Sequence, residues 1–211
     1  MTRVVVVYHS GQGHTKAIAQ SVGKGAAMVE GVGVDVLNVD DIPKLEGDGT
    51  GQPEWETLNS ADAIVFGSPT YMGSVSAAFK GFMDMTGSLW YVRKWMDKLG
   101  AGFTVGGGLA GDKQGTLQSL HTFASQHGMV WVSMGIGVGE EGIDRLSSSI
   151  GLMAQADDGP ADETPPREDH VTAERFGERI AKSAVRWGSV FWRQMPSSGR
   201  ITAIITLRGD F

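Results

Sequence analysis

The chain has 211 residues, enough for one domain with a substantial buried core. Eighteen Lys and Arg against twenty-four Asp and Glu leave a formal charge of −6, which favours neither nucleic acid nor an anionic membrane as a partner. Cysteine is absent, which excludes disulfides, thiol catalysis and Cys-ligated metals or clusters. The N-terminus enters a strand pattern at once with no signal-peptide signature, and no apolar run approaches the roughly 20 residues of a membrane span. The expectation is a soluble, cytoplasmic protein.

In chain order, the β-branched run Val4-Val5-Val6-Val7-Tyr8 predicts a strand buried on both faces, as in a parallel sheet. It ends in the loop His9-Ser10-Gly11-Gln12-Gly13-His14-Thr15. Ile18, Val22, Ala26 and Val29 then recur at helical spacing, which predicts a helix from about Thr15 to Glu30. Val34–Val39 reads as a second strand, 40–57 as irregular, and a short helical piece ends near Ser60. Ala63–Gly67 is a third strand, Ser68–Gly73 a rigid turn, and Val75–Thr86 a helix. Gly102–Gly106 is a fourth strand, followed by a Gly-rich loop to about Gln114 and a helix that stops near His127-Gly128. Met129–Ser133 is a fifth strand, 134–169 a long segment of the kind that is usually functional or disordered, and Val171–Trp187 a helix. The uncharged, β-prone stretch Ile201–Leu207 predicts an edge strand or a subunit contact.

Alternating strands and helices predict a doubly wound α/β fold, and in the flavodoxin-like five-stranded parallel order 2-1-3-4-5 the topological switch lies between strands 1 and 3. The two most distinctive loops follow those two strands. The first has the makings of an anion site, because a helix N-terminus there presents unpaired N–H groups and the positive end of its dipole. Its spelling matches neither common nucleotide loop. His14 stands where the triphosphate loop needs lysine, and Lys16 stands at the third glycine of the dinucleotide fingerprint. What remains is a hydroxyl at each end, Ser10 and Thr15, suited to one terminal phosphate held by hydroxyls and amides. Pro69-Thr70-Tyr71-Met72-Gly73 and Gly106–Gly111 supply backbone groups against which a flat ring could lie. Flat, polar-edged and singly phosphorylated describes flavin mononucleotide (FMN). The five histidines show no metal-ligand spacing, so no metal is expected.

The motifs YHSGQGHT (8–15), GSPTYMGSVS (67–76), FMD followed by TGSLW (82–90), the Gly-rich loop after 105 and HGMV (127–130) resemble, in order, the flavodoxin-like NAD(P)H:quinone oxidoreductases of the WrbA type and the related FMN reductases. The resemblance implies FMN, with its phosphate on Ser10, Gly11, Gln12, Gly13, His14 and Thr15. It places Pro69, Thr70, Tyr71, Met72 and Gly73 along the flavin edge, with Thr104, Val105, Gly106, Gly107, Gly108 and Gly111 opposite. His127 matches a family histidine near the flavin, and Trp90 matches an aromatic that closes the substrate pocket, contributed by a neighbouring subunit of a dimer or tetramer. Substrate contacts fall to Trp90, Tyr71 and His127, and no catalytic acid or base is assigned. The implied activity is two-electron transfer from NADH or NADPH to a quinone-like acceptor by a ping-pong mechanism. The alternatives are a flavodoxin-type one-electron carrier without its own small-molecule substrate, and a regulatory protein that has lost FMN. Residues 1–190 form the FMN-binding domain in this reading, and 191–211 a tail without an assigned role.

Overall fold

The fold is taken from a computed structural model of the chain, which describes residues 1–137 and 143–189. The expectation for Ile201–Leu207 falls outside those residues.

Strand β1 (Thr2–Tyr8) pairs in parallel with β2 (Val32–Asn38) on one side and β3 (Ala63–Tyr71) on the other. Beyond β3 comes β5 (Leu99–Gly106), and then β6 (Val130–Trp131), giving the order β2-β1-β3-β5-β6. This is the flavodoxin-like order expected. A two-residue strand β4 (Ser74–Val75) folds back antiparallel on the end of β3 and lies off that path.

Val4 to Val7 are fully buried, and their alternation divides the core. Val4 and Val6 face helices α1 (His14–Ala27) and α6 (Arg167–Ser189), in a layer with Ile18, Val22, Phe103, Phe176 and Ile180. Val5 and Val7 face the other side, where α2 (Pro53–Ser60), α3 (Ala77–Met85) and α5 (Lys113–Gln126) bring Trp55, Phe79, Phe82, Leu117 and Phe123. A short helix α4 (Gly87–Tyr91) follows α3 directly. On the first face α1 and α6 cross at two glycines. A Cβ on Gly25 would stand 1.8 Å from the Glu174 carbonyl oxygen, and one on Gly177 2.0 Å from that of Val22.

Three expectations need correction. The strand read as Ala63–Gly67 runs on to Tyr71, because Gly67, Ser68 and Pro69 keep pairing with Phe103, Thr104 and Val105 of β5. Pro69 is tolerated there because the β1 ladder stops at Gly67, so no hydrogen bond to β1 is lost. The turn therefore shrinks from Ser68–Gly73 to Met72-Gly73. Both residues have positive φ, 50° and 77°, as a two-residue hairpin requires. The fifth strand, read as Met129–Ser133, keeps two residues. The chain leaves the sheet after Trp131 and returns as β7 (Leu152–Gln155), which pairs with Phe103–Gly106 further along β5. The long 134–169 segment thus contains a strand that brings new residues to the carboxyl edge of the sheet.

Candidate functional site

At the switch point, the loops after β1, β3, β5 and β7 enclose a cleft of about 250 Å³. The first loop gives it Ser10, Gly11, Gln12, His14 and Thr15. Ser10 Oγ accepts hydrogen bonds from the N–H groups of Gly13 (3.1 Å) and Lys16 (3.2 Å), which ties the loop to the first turn of α1. The N–H groups of Gly11, Gln12, His14 and Thr15 have no hydrogen-bond partner among the described residues. Four free donors at the positive end of a 14-residue helix make a strong anion cradle. Among the described residues no lysine or arginine lines the cleft.

Gly13 has φ +93°, and a Cβ there would come within 2.8 Å of the Ala161 Cβ. The segment after β7 therefore lies directly on the first loop. His14 fastens the two by donating from Nε2 to the Gly159 carbonyl at 2.8 Å. The same segment adds Ala156, Asp157 and Asp158 to the lining. Sequence reasoning missed these three. Their signal was the turn Asp157-Asp158-Gly159 after a short apolar stretch, too brief to read as a strand end.

From the β3 side come Pro69, Thr70 and Tyr71. Thr70 Oγ1 bonds to the Thr104 and Thr116 hydroxyls, each at 2.8 Å, joining β3, β5 and α5. Thr104 is fully buried behind Thr70 and does not line the cleft. The Tyr71 hydroxyl reaches across to the first loop, where it would lie 2.5 Å from a Cβ on Gly11. Met72 and Gly73 form the hairpin turn beside the cleft, and the Met72 side chain is wholly exposed. From β5 come Val105, Gly106 and Gly107, while Gly108 and Gly111 continue the loop away from the lining. Tyr71, which lines the cleft, and Met72 and Leu109, on the hairpin turn and the loop after β5, are all exposed. This composition fits FMN: free amides and hydroxyls for its phosphate, close-approach glycines and backbone for its ring.

His127 and Trp90 are not brought to this cleft. His127 caps the far end of α5, about 20 Å from the β5 loop at 1.5 Å per residue. Both line a separate, open groove of about 870 Å³ between α3, α4 and α5. Trp90, Tyr91, Val92 and Met96 form an exposed apolar patch beside it. His127 is 4% exposed, tilted against the Trp95 ring and edge-on to Phe123, with Nε2 at 2.9 Å from Thr86 Oγ1. Thr86 Oγ1 already donates to the Met83 carbonyl, so His127 must donate from Nε2. Its Nδ1 is buried without a partner, and burial lowers its pKa from 6.5 to about 4. The ring is neutral at pH 7 and poorly suited to give a proton to a quinone oxygen.

That burial predicts an acid-sensitive fold. The folded-state pKa lies below the unfolded one, so the unfolded chain binds more protons between pH 4 and 6.5. Stability from this residue is complete above pH 6.5 and is lost as pH falls to 4, by up to about 3 kcal/mol. Urea midpoints at pH 7 and 4.5 check this: the drop shrinks in His127→Gln, and an equal drop in both proteins contradicts the assignment.

Among the described residues no helix is long and apolar enough to cross a membrane, and no three metal-ligating side chains gather at one point. The profile of the NADPH-dependent FMN reductase family matches residues 2–141. A flavodoxin named FldP from Pseudomonas aeruginosa (strain UCBPP-PA14) is 38% identical over 188 residues, covering 86% of this chain and 96% of its own. An NAD(P)H dehydrogenase (quinone) from Chromohalobacter salexigens is 32% identical over 198 residues, covering 88% and 98%. Among solved structures, a flavodoxin described as a WrbA-like protein from Agrobacterium tumefaciens superposes with a TM-score of 0.70 at 37% identity, covering 88% of this chain and 99% of that one. The cradle, the switch point and these likenesses agree, and the chain belongs to the NADPH-dependent FMN reductase family of flavodoxin-like oxidoreductases.

Proposed function

We propose that the protein is an FMN-dependent oxidoreductase that passes two electrons from NADH or NADPH to a quinone-like acceptor. The observation that carries this reading is the cleft itself: four unpaired amides at the start of α1 facing glycine-lined backbone at the end of β5. FMN would supply the redox chemistry, taking hydride from the nicotinamide and delivering it to the acceptor. The chain's own residues hold and orient. Ser10, Thr15 and the free amides take the phosphate, and Thr70, fixed by Thr104 and Thr116, sets the backbone that the ring meets. Tyr71, Met72 and Leu109 leave an apolar mouth where donor and acceptor would alternate, which is the basis of the ping-pong order. Methionine at that mouth suits varied acceptors, because its side chain adapts to many shapes.

Trp90 and His127 reach such a mouth only from another copy of the chain. The exposed patch Trp90-Tyr91-Val92 with Met96 supports a homo-oligomer in which they do so. Steady-state oxidation of NADH and NADPH with benzoquinone tests the activity, and no turnover by FMN-loaded protein overturns it. The same result would favour a one-electron carrier, the reading that the 38% identity to a flavodoxin supports. Light scattering of wild type and Tyr91→Glu tests the assembly: a monomeric wild type contradicts it.

A further inference from the structure

The loop after β5 is held from behind by side chains that the cleft does not display. The Gly107 carbonyl accepts from Gln155 Nε2 at 3.0 Å. The Gly108 and Leu109 carbonyls both accept from Lys113 Nζ, the second at 3.2 Å. Three successive carbonyls therefore turn toward the protein. In a trans peptide the N–H points opposite to the carbonyl, so the N–H groups of Gly108, Leu109 and Ala110 turn away from it. None of the N–H groups from Gly107 to Asp112 donates a hydrogen bond among the described residues.

Lys113 is fully buried, with its stem 3.5 Å from where a Gly106 Cβ would stand. The ammonium thus sits directly behind the loop whose first residues, Gly106 and Gly107, line the cleft. Gln155 cannot swing, because each end of its amide is engaged. Its Oε1 accepts from Arg145 Nη1 at 3.1 Å, and its backbone N–H donates to Asp169 Oδ2 at 2.7 Å. Arg145 in turn forks onto Asp169, with Nε to Oδ1 at 2.6 Å and Nη2 to Oδ2 at 2.9 Å. Asp169 is 2% exposed while Arg145 is 26% exposed, so the carboxylate end of this bidentate pair is shielded from bulk water.

Aligned outward amides backed by a buried cation suit an electron-rich planar edge, above all one that gains negative charge. Two-electron reduction of a flavin by hydride leaves the added charge on its N1–C2=O edge. We propose that Lys113, with Gln155 braced by Arg145 and Asp169, aims this amide row at that edge and makes bound FMN a stronger two-electron acceptor. Lys113 acts here as a positioning residue. The inference rests on FMN being the occupant of the cleft, and not on which molecule donates or accepts the electrons.

The test is a dithionite titration against a reference dye, with FMN affinity measured by fluorescence quenching. Lys113→Gln keeps a donor for the carbonyls but removes the charge. It is expected to bind oxidised FMN within about threefold of wild type, and to favour reduced over oxidised FMN at least tenfold less. That ratio lowers the two-electron midpoint by about 30 mV. Lys113→Arg, which restores the charge, is expected to recover most of the loss. Should Lys113→Gln fail to fold, Gln155→Glu places a negative charge against the same loop and lowers the midpoint in the same direction. Midpoints unchanged in the folded variants overturn the proposal. A wild type that takes up no FMN overturns it together with the proposed function. A wild type that binds FMN but shows no NAD(P)H–quinone turnover overturns only the activity, and the midpoint difference still supports or sinks the role of Lys113.

Discussion

Gly177→Ala lowers stability by about 3 kcal/mol, a melting-temperature fall of roughly 6–12 °C in a domain of this size. Intrinsic propensity argues the other way, since alanine in a helix interior is better than glycine by about 1 kcal/mol. Contact geometry decides the sign. The new Cβ would stand 2.0 Å from the Val22 carbonyl oxygen, and that atom belongs to the backbone of α1 and cannot rotate aside. The two helices must separate along the face that buries Val22, Ala26, Phe176 and Ile180. Gly25→Ala meets the Glu174 carbonyl at 1.8 Å and behaves alike. The two changes open the same crossing, so their effects do not add. Gly81→Ala is the control. It lies in α3 with nothing within 4 Å of its Cβ position, and gains about 1 kcal/mol. Thermal melts of the three variants check the argument, and a Gly177→Ala protein as stable as wild type would falsify it.

Thr15→Val weakens FMN binding by about 10- to 100-fold while leaving riboflavin affinity near the wild-type value. Thr15 is 2% exposed, and the substitution conserves shape while removing the hydroxyl. A hydrogen bond to a charged partner contributes about 1.5–3 kcal/mol, and 1.4 kcal/mol is tenfold in affinity. Ser10→Ala gives a similar loss and also reduces stability by about 1 kcal/mol, because Ser10 Oγ serves the Gly13 and Lys16 amides at the start of α1. The informative readout is the ratio of the two affinities, since riboflavin carries the ring without the phosphate. Equal weakening of FMN and riboflavin would place the phosphate elsewhere.

Much of the fold is legible in the sequence. Val4 to Val7 announce a strand covered on both faces, and Ser10 to Thr15 a loop that opens a helix, with free amides at its start. The alternation of elements points to the doubly wound sheet, and the flavodoxin-like order comes with it. What escaped was decided by tertiary contacts. Leu152–Gln155 is four residues long, too short for a period to emerge, and is a strand only because Phe103–Gly106 offers it a ladder. Asp157 and Asp158 reach the cleft as its continuation. Lys113 reads as an ordinary polar residue at a helix start, and its burial comes from the glycine loop folding over it. His127 matches by motif but lies at the far end of α5 from the cleft of its own chain, and a motif does not say which copy's cleft a residue serves.

The divided fifth strand has a consequence for solubility. An uninterrupted strand beside β5 would present a row of unpaired amides and carbonyls on which a second chain could add itself. Here that border consists of a two-residue step, a departure of the chain, and a four-residue step, Val130–Trp131 and Leu152–Gln155. Neither is long enough to template another strand. The excursion that delivers Asp157 and Asp158 to the cleft therefore also leaves this border of the sheet, the one opposite β2, a poor template for an added strand.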